Sequence, residues 1–600
     1  MKKDRPTPSQ AHLSAQASFA LAPQTSVPQA TYTNTPVRVP TQVTGESLTI
    51  VSSLASASPA LFPSRPQPYA PNCPSAERLV AVRAYIKRTW QTLRRGHDHI
   101  LTAARDSKVE HVSGKAWPVY ISKKENPQKI EDTLRQTIAA EFSRIRLEVL
   151  PDDPHDIEEH GLLYLPGDYV VPGGRFNELY GWDSYFILLG LLHDNEIALA
   201  QSLTDQLLYQ VEHYGMVLNA NRTYFLSRSQ PPLLARMVLK LYERTQDLAW
   251  LKSTVPTLTR YYDVWMSEPH LDVESGLSRY YDLGEGPAPE VIVSECDEQG
   301  RTHFDRIREF YKHEKITDYD VSLFYNAEKD ELTDLFYKGD RSMRESGFDP
   351  TNRFGPFSVD IVHYLPVCLN VLLYQMEKDM AEVYRLLNEA EDSTTHYSAE
   401  ICKWHDRANA RHQNIDKYLW DETSGLYLDY SLTTGKRRYY EFATTFYPLW
   451  AGLASDRQAQ SILENLPKFE APGGVRTSTH TSGSQWDDPF GWAPLQLIAI
   501  EGLQRYGYQE AAERLTCRFL SLVVNDFERT GSLLEKYDIA ACSGQVSKDI
   551  QFGYSSNEIG FGWTNGVVLA LIDLLDQSTQ VSSSAVHPSQ VPLAPDDAPE

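Results

Sequence analysis

The spacing of the apolar residues constrains the fold of this sequence more than any other feature. Leu79, Val82, Ile86 and Trp90 follow the capping residue Ser75 at steps of three or four, the spacing of an amphipathic helix. No region alternates strands with helices regularly, so a parallel sheet is not expected. Similar apolar stripes occupy 129–149, 186–213, 230–250, 358–380, 383–404, 443–465, 490–506, 509–525 and 561–577.

The stripes predict one large all-α domain. Ten or more helices, with polar and aromatic residues concentrated between them, favour a toroid of paired helices with a site built from loops at one end. The alternative is an α-solenoid, although no short fixed repeat is present. We expect the folded core to span 76–575. The segments 1–75 and 576–600 are rich in Pro, Ser, Gln and Ala and are expected to be disordered tails, because they cannot bury enough apolar surface.

Charge and hydrophobicity exclude several classes of function. The chain has 57 basic and 80 acidic residues, a net charge of −23, and so has no positive field to gather the phosphates of a nucleic acid. The longest apolar stretch, 567–575, is short and contains Asp573, so no membrane span is expected. The N-terminus lacks the apolar core of a signal peptide, which favours a cytoplasmic over an exported protein. We expect a monomer.

The cysteine and histidine spacings argue against metal sites and disulfides. The six cysteines lie far apart without a CxxC pair, so free thiols are expected. There is no HExxH motif, and the acidic stretch 318–334 lacks the glycine and the spacing of a calcium-binding loop. We therefore expect no metal, no organic cofactor and no inhibition by EDTA.

Four groups of loop residues combine Trp, Asp, Arg and Gly before predicted helices. A pyranose presents apolar faces that stack on aromatic rings and hydroxyls that planar Asp, Asn, Gln and Arg groups bind. The abundance of Tyr (34), Phe (21) and Trp (11) fits such a surface. Any one of these segments could equally cap a helix or anchor a loop, but four together favour a sugar-binding cleft. The groups are 172–185, 219–232, 345–350, and 485–489 with 534–538.

Glycoside hydrolysis requires two carboxyl groups, and composition alone does not select two among 80 acidic residues. At these loops, however, the chain resembles the trehalase family, glycoside hydrolase family 37. PGGRFNELYGWDSY at 172–185 and QWDDPFGWAP at 485–494 match the two family signatures at every defined position. Four further blocks follow the family order: NANRTYFLSRSQPP at 219–232, ESGFD at 345–349, EKYD at 535–538 and GFGWTNGV at 560–567.

The resemblance covers about 150–575 and implies an (α/α)6 toroid that hydrolyses α,α-trehalose to two glucose molecules with inversion and without a cofactor. It places Asp349 in the position of the general acid and Glu535 in that of the general base. Further residues match sugar-binding positions or belong to the second signature: Arg175, Trp182, Asp183, Asn219, Arg228, Ser229, Gln230, Glu290, Gly347, Trp486 and Asp487.

These roles carry physical requirements. Asp349 must be protonated when substrate binds, so its pKa should be raised by burial or by a neighbouring carboxylate such as Glu345. Glu535 must be ionised, although without the resemblance it would be interpreted as half of an ion pair with Lys536. Inversion needs room for water, which predicts carboxyl groups roughly 6.5–9.5 Å apart. Arg175 is expected, with Arg228, to hold sugar hydroxyls.

The sequence departs from the family pattern at three positions. Ala288 stands where the family usually has Arg, Tyr554 falls where it usually has Glu, and Phe348 replaces a Trp. The first two departures leave open a related α-toroid glucosidase that acts on another α-glucoside. A non-catalytic trehalose-binding protein is the other alternative, disfavoured because both carboxyl groups are present.

Overall fold

The computed structural model describes residues 73–109, 111–294, 299–390, 396–546, 550, 552–554 and 556–584. The expected tails therefore lie outside the described residues over 1–72 and 585–600. The α-helices within the described ranges are α1 (Ala76–Leu93), α2 (Ile100–Ala104), α3 (Pro127–Thr137), α4 (Asp183–His193), α5 (Ile197–Tyr214), α6 (Leu234–Thr245), α7 (Leu248–Trp265), α8 (Pro289–Ser294), α9 (His303–His313), α10 (Asp334–Glu345), α11 (Val367–Ala390), α12 (Ser398–Tyr418), α13 (Tyr447–Trp450), α14 (Asp456–Phe469), α15 (Ala493–Arg505), α16 (Gln509–Thr530) and α17 (Gly562–Ser584).

Six of these helices close a ring. Helix α4 contacts α6, α6 contacts α11, α11 contacts α13, α13 contacts α15, α15 contacts α17, and α17 returns to α4. Helices α5, α7, α12, α16 and α1 pack against this ring from outside, and α14 packs nearby against the strand β12 defined below. The chain is therefore an (α/α)6 toroid, and the all-α prediction is confirmed.

The hydrophobic pattern explains which helices lie inside. Helix α4 is apolar all round and buries nine of its 11 residues, as expected for a helix surrounded by others. Helix α12 is 21 residues long but buries only Trp404, Ala408, Arg411 and Ile415. Its single apolar stripe places it at the surface.

Two glycines allow the first and last inner helices to meet. A Cβ atom built on Gly566 of α17 would lie 1.8 Å from the carbonyl oxygen of Phe186 in α4, and one on Gly190 of α4 would lie 2.7 Å from the Cα atom of Gly566. Any larger side chain would force α4 and α17 apart. The ring thus closes on a glycine-to-glycine contact.

The strands are short and lie in the connecting loops. Strands β17 and β18 form an antiparallel pair beside the site, while β3, β2 and β4 form a small parallel sheet. The strands are β1 (Arg94–Arg95), β2 (Trp117–Ile121), β3 (Ile145–Val149), β4 (Leu162–Leu163), β5 (Tyr169–Val170), β6 (Leu271–Asp272), β7 (Leu277–Ser278), β8 (Tyr325–Asn326), β9 (Glu331–Leu332), β10 (Tyr364–Leu365), β11 (Trp420–Asp421), β12 (Leu426–Tyr427), β13 (Tyr430–Ser431), β14 (Lys436–Arg437), β15 (Glu470–Ala471), β16 (Gly474–Val475), β17 (Phe490–Trp492) and β18 (Lys536–Asp538).

The parallel sheet corrects the expectation that none would occur. The stripe predicted as one helix over 129–149 divides into α3 and the strand β3. The sequence of β3, IRLEV, alternates apolar and charged residues, which is the period of a strand. This layer has its own apolar cluster, which includes Val119, Leu134 and Ile145.

Three further expectations are corrected. The stripe 186–213 is broken between α4 and α5, and α17 continues to Ser584, beyond the expected boundary of the core at 575. Cys73 and Cys517 form a disulfide with Cα atoms 4.5 Å apart, whereas free thiols were expected. Their separation of 444 residues hides the pairing, since only the folded chain brings them together.

Over the ranges described, no helix combines the length and hydrophobicity needed to cross a bilayer.

Candidate active site

The inner helices α4, α15 and α17 begin at the loops that carry the sequence motifs, and one cavity lies among these loops. All but two of the residues predicted for the site line it. They are Asp349, Glu535, Arg175, Trp182, Asp183, Asn219, Arg228, Gln230, Glu290, Gly347 and Trp486. The cavity wall also contains residues that were not predicted: Lys108, Pro172, Phe176, Tyr180, Phe225, Val291, Arg344, Tyr554, Phe561 and Trp563.

Asp349 lies on the loop that follows α10. Gly347 turns this loop at φ +77°, and a Cβ atom there would lie 3.1 Å from the indole ring of Trp182, so a glycine is required for both reasons. The Asp349 side chain is 36% exposed, and its Oδ2 lies 3.7 Å from Nη1 of Arg344. The Asp349 carboxyl group is therefore reachable from the cavity.

Glu345, the last residue of α10, was expected to be a carboxylate neighbour of Asp349, and this stays a prediction. Its oxygens accept hydrogen bonds from the backbone N–H groups of Ser229, at 3.1 Å, and Tyr281, at 2.7 Å. Arg344, the residue before it on α10, lies beside Asp349. Glu345 therefore also anchors the backbone at Ser229 and Tyr281.

Glu535 directly precedes the strand β18 and is fully enclosed. Its backbone N–H donates to the carbonyl of Glu558 at 2.9 Å, and its carbonyl accepts from Nε1 of Trp563 at 3.0 Å. Its Oε1 accepts a short hydrogen bond from the Tyr554 hydroxyl. Burial raises the pKa of Glu535, while Lys536, the Tyr554 hydroxyl and Arg175 oppose the rise.

The second signature, residues 485–494, links the loop of Asp349 to the segment of Glu535. Gln485 donates from Nε2 to the carbonyl of Asp349 at 2.5 Å and accepts from Nζ of Lys536 at 3.0 Å. The backbone N–H of Trp486 donates to the carbonyl of Pro350 at 3.1 Å. Strand β17, the next part of this signature, pairs with β18. Asp349 and Glu535 are therefore fixed relative to each other by one segment.

Asp487 does not line the cavity, which corrects the expectation that it would. It is fully buried and accepts from Oγ1 of Thr351 at 3.0 Å, the N–H of Asn352 at 3.0 Å and the hydroxyl of Tyr440 at 2.9 Å. Because Thr351 and Asn352 follow Asp349 closely in the chain, Asp487 anchors the loop of Asp349 from the side away from the cavity. Burial raises its pKa, although the hydrogen bonds oppose this.

Ser229 also lies behind the cavity wall, where a direct sugar contact was expected. Its hydroxyl donates to the carbonyl of Val217 at 2.6 Å, and its N–H donates to Glu345 at 3.1 Å. These bonds fix the backbone between Arg228 and Gln230, both of which line the cavity. Because the Ser229 hydroxyl donates its proton to a backbone carbonyl, it is not directed at a ligand in the cavity.

Aromatic rings form much of the cavity wall. The Trp182 ring lies 5.7 Å from Phe348, 6.1 Å from Trp486 and 5.8 Å from Trp563, measured between centroids. Trp486 stacks on Trp492 at 3.8 Å with an interplanar angle of 5°. Such packing holds the rings rigidly, which suits a surface on which the apolar face of a sugar stacks.

Arg228 is the most tightly held cation of the site. It donates from Nε to Asp282 at 2.7 Å and from Nη1 to Glu290 at 2.5 Å. Although burial lowers the pKa of Arg228, these two carboxylates outweigh it and hold the pKa above its ordinary value. Its Nη2 is buried without a hydrogen-bond partner among the described residues. That donor remains for a ligand in the cavity.

Gln230 and Asn219 are oriented by backbone groups. Gln230 accepts from the N–H of Trp182 at 2.9 Å, and Asn219 donates to the carbonyl of Arg344 at 3.3 Å. Each therefore links two loops of the cavity, and both residues line its wall.

Asp183 opens helix α4 between the two candidate catalytic groups. Burial, with the charges of Glu535 and Asp349, holds the pKa of Asp183 well above its ordinary value. Three carboxyl groups thus share one enclosed space, and they cannot all be ionised at low cost. In the described part of the chain, no group of three or more His, Cys, Asp or Glu residues is arranged to hold a metal ion.

The two main departures from the family pattern lie in different environments. Ala288 does not line the cavity but is buried in an apolar cluster with Phe304, Ile307 and Phe336. Tyr554 lines the cavity and bonds to Glu535.

Some of the cavity residues that were not predicted could have been found from the sequence. Tyr180 and Phe176 lie inside the first signature and could have been found there. Arg344, next to the ESGFD block, could have been found in the same way, whereas Lys108 carried no signal.

Comparisons with known proteins agree with this geometry. The family model described as Trehalase matches residues 64–576. A probable trehalase from Eremothecium gossypii is 36% identical, covering 79% of this chain and 70% of its own, and a cytosolic neutral trehalase from Kluyveromyces lactis is 36% identical, covering 80% and 69%. Neutral trehalase Nth1 from Saccharomyces cerevisiae superposes with a TM-score of 0.69 at 31% identity, covering 85% of this chain and 96% of its own. The chain belongs to the trehalase family.

Proposed function

We propose that the protein hydrolyses α,α-trehalose to two glucose molecules with inversion, using Asp349 as general acid and Glu535 as general base. The observation that carries the proposal is the single cavity in which both carboxyl groups meet arginines and stacked aromatic rings. This combination suits a neutral sugar. No cofactor takes part in the proposed reaction.

Each of the two carboxyl groups transfers one proton in the proposed hydrolysis. Protonated Asp349 gives its proton to the glycosidic oxygen, and the bond between that oxygen and the attacked anomeric carbon breaks. Glu535 takes a proton from water, whose oxygen forms the new bond from the opposite face. One glucose leaves with its α configuration, and the other emerges as β. Room for the water requires carboxyl groups about 6.5–9.5 Å apart.

The remaining side chains divide the recognition of the two glucose units. Arg228 offers Nη2 as a donor to a hydroxyl or to the leaving oxygen. Trp182 and Trp486 offer ring faces, and Arg175 balances the negative charge that the carboxyl groups create. Asp183, with its raised pKa, is suited to donate a hydrogen bond from a neutral carboxyl group.

The competing function is hydrolysis of another α-glucoside, which the departures from the family pattern at Ala288 and Tyr554 leave open. We expect glucose release from trehalose to exceed that from maltose, isomaltose, sucrose and p-nitrophenyl α-glucoside by at least about 100-fold in kcat/KM, since a site built to bind hydroxyls discriminates strongly. The measurement is initial rates on each sugar at matched enzyme concentration. Negligible turnover of trehalose with another substrate active would establish the alternative, and binding without any hydrolysis would establish a binding protein.

For location and assembly, we propose a monomer that acts in the cytosol without nucleic-acid or membrane partners. The net charge of −23 disfavours a nucleic acid, and relatives are named cytosolic neutral trehalases. The disulfide between Cys73 and Cys517 is the opposing observation, since disulfides persist mainly in oxidising compartments.

A further inference from the structure

Tyr554 is held on several sides at the edge of the cavity. Its ring centroid lies 3.8 Å from Nζ of Lys536 and 3.9 Å from the guanidinium carbon of Arg175, so two cations flank its ring. Its carbonyl accepts from Nζ of Lys536 at 3.1 Å, and its N–H donates to Oε1 of Gln485 at 3.4 Å. These contacts together hold the Tyr554 hydroxyl in one orientation.

That hydroxyl distinguishes the two oxygens of Glu535. Oε1 accepts the hydrogen bond from Tyr554. Oε2 is buried and has no hydrogen-bond partner among the described residues, and it lies 3.9 Å from Nζ of Lys536. One oxygen is therefore occupied by the protein, and the other is left for a molecule in the cavity.

We propose that Tyr554 is the positioning residue of the catalytic base: its hydroxyl holds Oε1 of Glu535, so that Oε2 faces the attacking water. This inference rests on the proposed function, in which Glu535 is the base. Tyr554 moves no proton itself, and the water proton passes to Oε2.

The groups around Glu535 determine whether its pKa rises or falls when the Tyr554 hydroxyl is removed. Cations lower the pKa of Glu535, other carboxylates raise it, and a hydrogen bond donated to the carboxylate favours its ionised form. Removing the hydroxyl therefore raises the pKa of the base. Several charged or titratable groups face Glu535: Lys536, the next residue and the first of β18, Tyr554 and Glu558 before α17, Arg175 on the loop before α4, Asp183 at the start of α4, and Asp349 across the cavity.

The test is the pH dependence of kcat/KM on trehalose for wild type and Tyr554→Phe. The acid limb, where activity is lost as the base takes a proton, should move to higher pH by about one unit. We expect kcat to fall by about 10- to 100-fold, because a hydrogen bond to a charged group is lost and the base is less well oriented. A residue that only contacted sugar would raise KM and leave the acid limb in place.

Tyr262→Phe is the matched control. Tyr262 is buried and donates to Oε1 of Glu377 at 2.8 Å, between α7 and α11 and outside the cavity wall. Its replacement removes the same kind of hydrogen bond from the core, so it should lower the unfolding temperature without moving the acid limb. A shift of the limb in this variant as well would overturn the assignment, because any loss of packing would then have the same effect.

A second substitution tests the same proposal even if Tyr554→Phe does not fold. Placing 3-fluorotyrosine at position 554 retains the ring and its hydroxyl but makes it a stronger donor, so the acid limb should move to lower pH. An unmoved limb in either variant, with wild type active on trehalose, would overturn the role of Tyr554 alone. Wild type without trehalose turnover would instead refute the proposed function.

Discussion

Replacement of Asp349 by asparagine should lower kcat on α,α-trehalose by about 100- to 10,000-fold, the contribution of a general acid. The sugar oxygen is a poor leaving group unless it is protonated as the bond breaks, and asparagine has no proton to give. The Asp349 side chain is 36% exposed and asparagine has nearly the same size, so the variant should remain folded. Steady-state kinetics and thermal unfolding of the same preparation test both expectations.

A substrate that needs no acid gives the control for this variant. Fluoride leaves α-glucosyl fluoride without a proton from the enzyme, so this substrate should restore much of the turnover of Asp349→Asn. Full activity of the variant on trehalose would remove Asp349 from the acid role. A loss that is equal on both substrates would show that Asp349 acts in some other way.

Replacement of Glu535 by glutamine should lower kcat by a similar factor, about 100- to 10,000-fold, on both trehalose and α-glucosyl fluoride. Water still has to be activated when the leaving group is fluoride, so the activated substrate does not bypass the base. Steady-state rates of Asp349→Asn and Glu535→Gln on the two substrates therefore separate the two roles. Rescue of Glu535→Gln by the fluoride would contradict the assignment of the base.

The same variant should be more stable than wild type at neutral pH. The pKa of Glu535 is raised by burial above its ordinary value of 4.5, so above about pH 4.5 the folded state binds more protons than the unfolded state. Stability is then lost as the pH rises from the unfolded pKa through the folded one. Glutamine removes this loss, so Glu535→Gln should raise the unfolding temperature at pH 7 and change it little at pH 4. A lower unfolding temperature at pH 7 would contradict the burial of the charge.

Much of the site was predictable because its residues lie in long, ordered signatures. Trp182 and Asp183 share one signature and open an inner helix, while Trp486 lies in the other. Asp349 and Glu535 each lie in a short block whose order along the chain matches the family. The helical spacing of apolar residues likewise predicted an all-α domain, and the polar and aromatic residues between the helices favoured a toroid over an α-solenoid.

The remaining features depend on contacts between distant segments. Asp487 lies in a signature, yet its carboxylate bonds to the loop of Asp349 on the side away from the cavity. The spacing of residues along the chain does not reveal on which side of a loop a side chain points. Tyr554 was recognised only as a departure from the family, because its hydrogen bond to Glu535 spans 19 residues. The Cys73–Cys517 disulfide joins residues that meet only in the folded chain.

The stereochemistry of the products tests the central claim, inverting hydrolysis of trehalose, most directly. Proton NMR during the first minutes of reaction, before mutarotation equilibrates the anomers, separates α-glucose from β-glucose. Inversion predicts equal amounts of the two, because the leaving glucose keeps its α configuration and the attacked glucose becomes β. Formation of α-glucose alone would contradict the account, since it would require a covalent intermediate and a retaining mechanism.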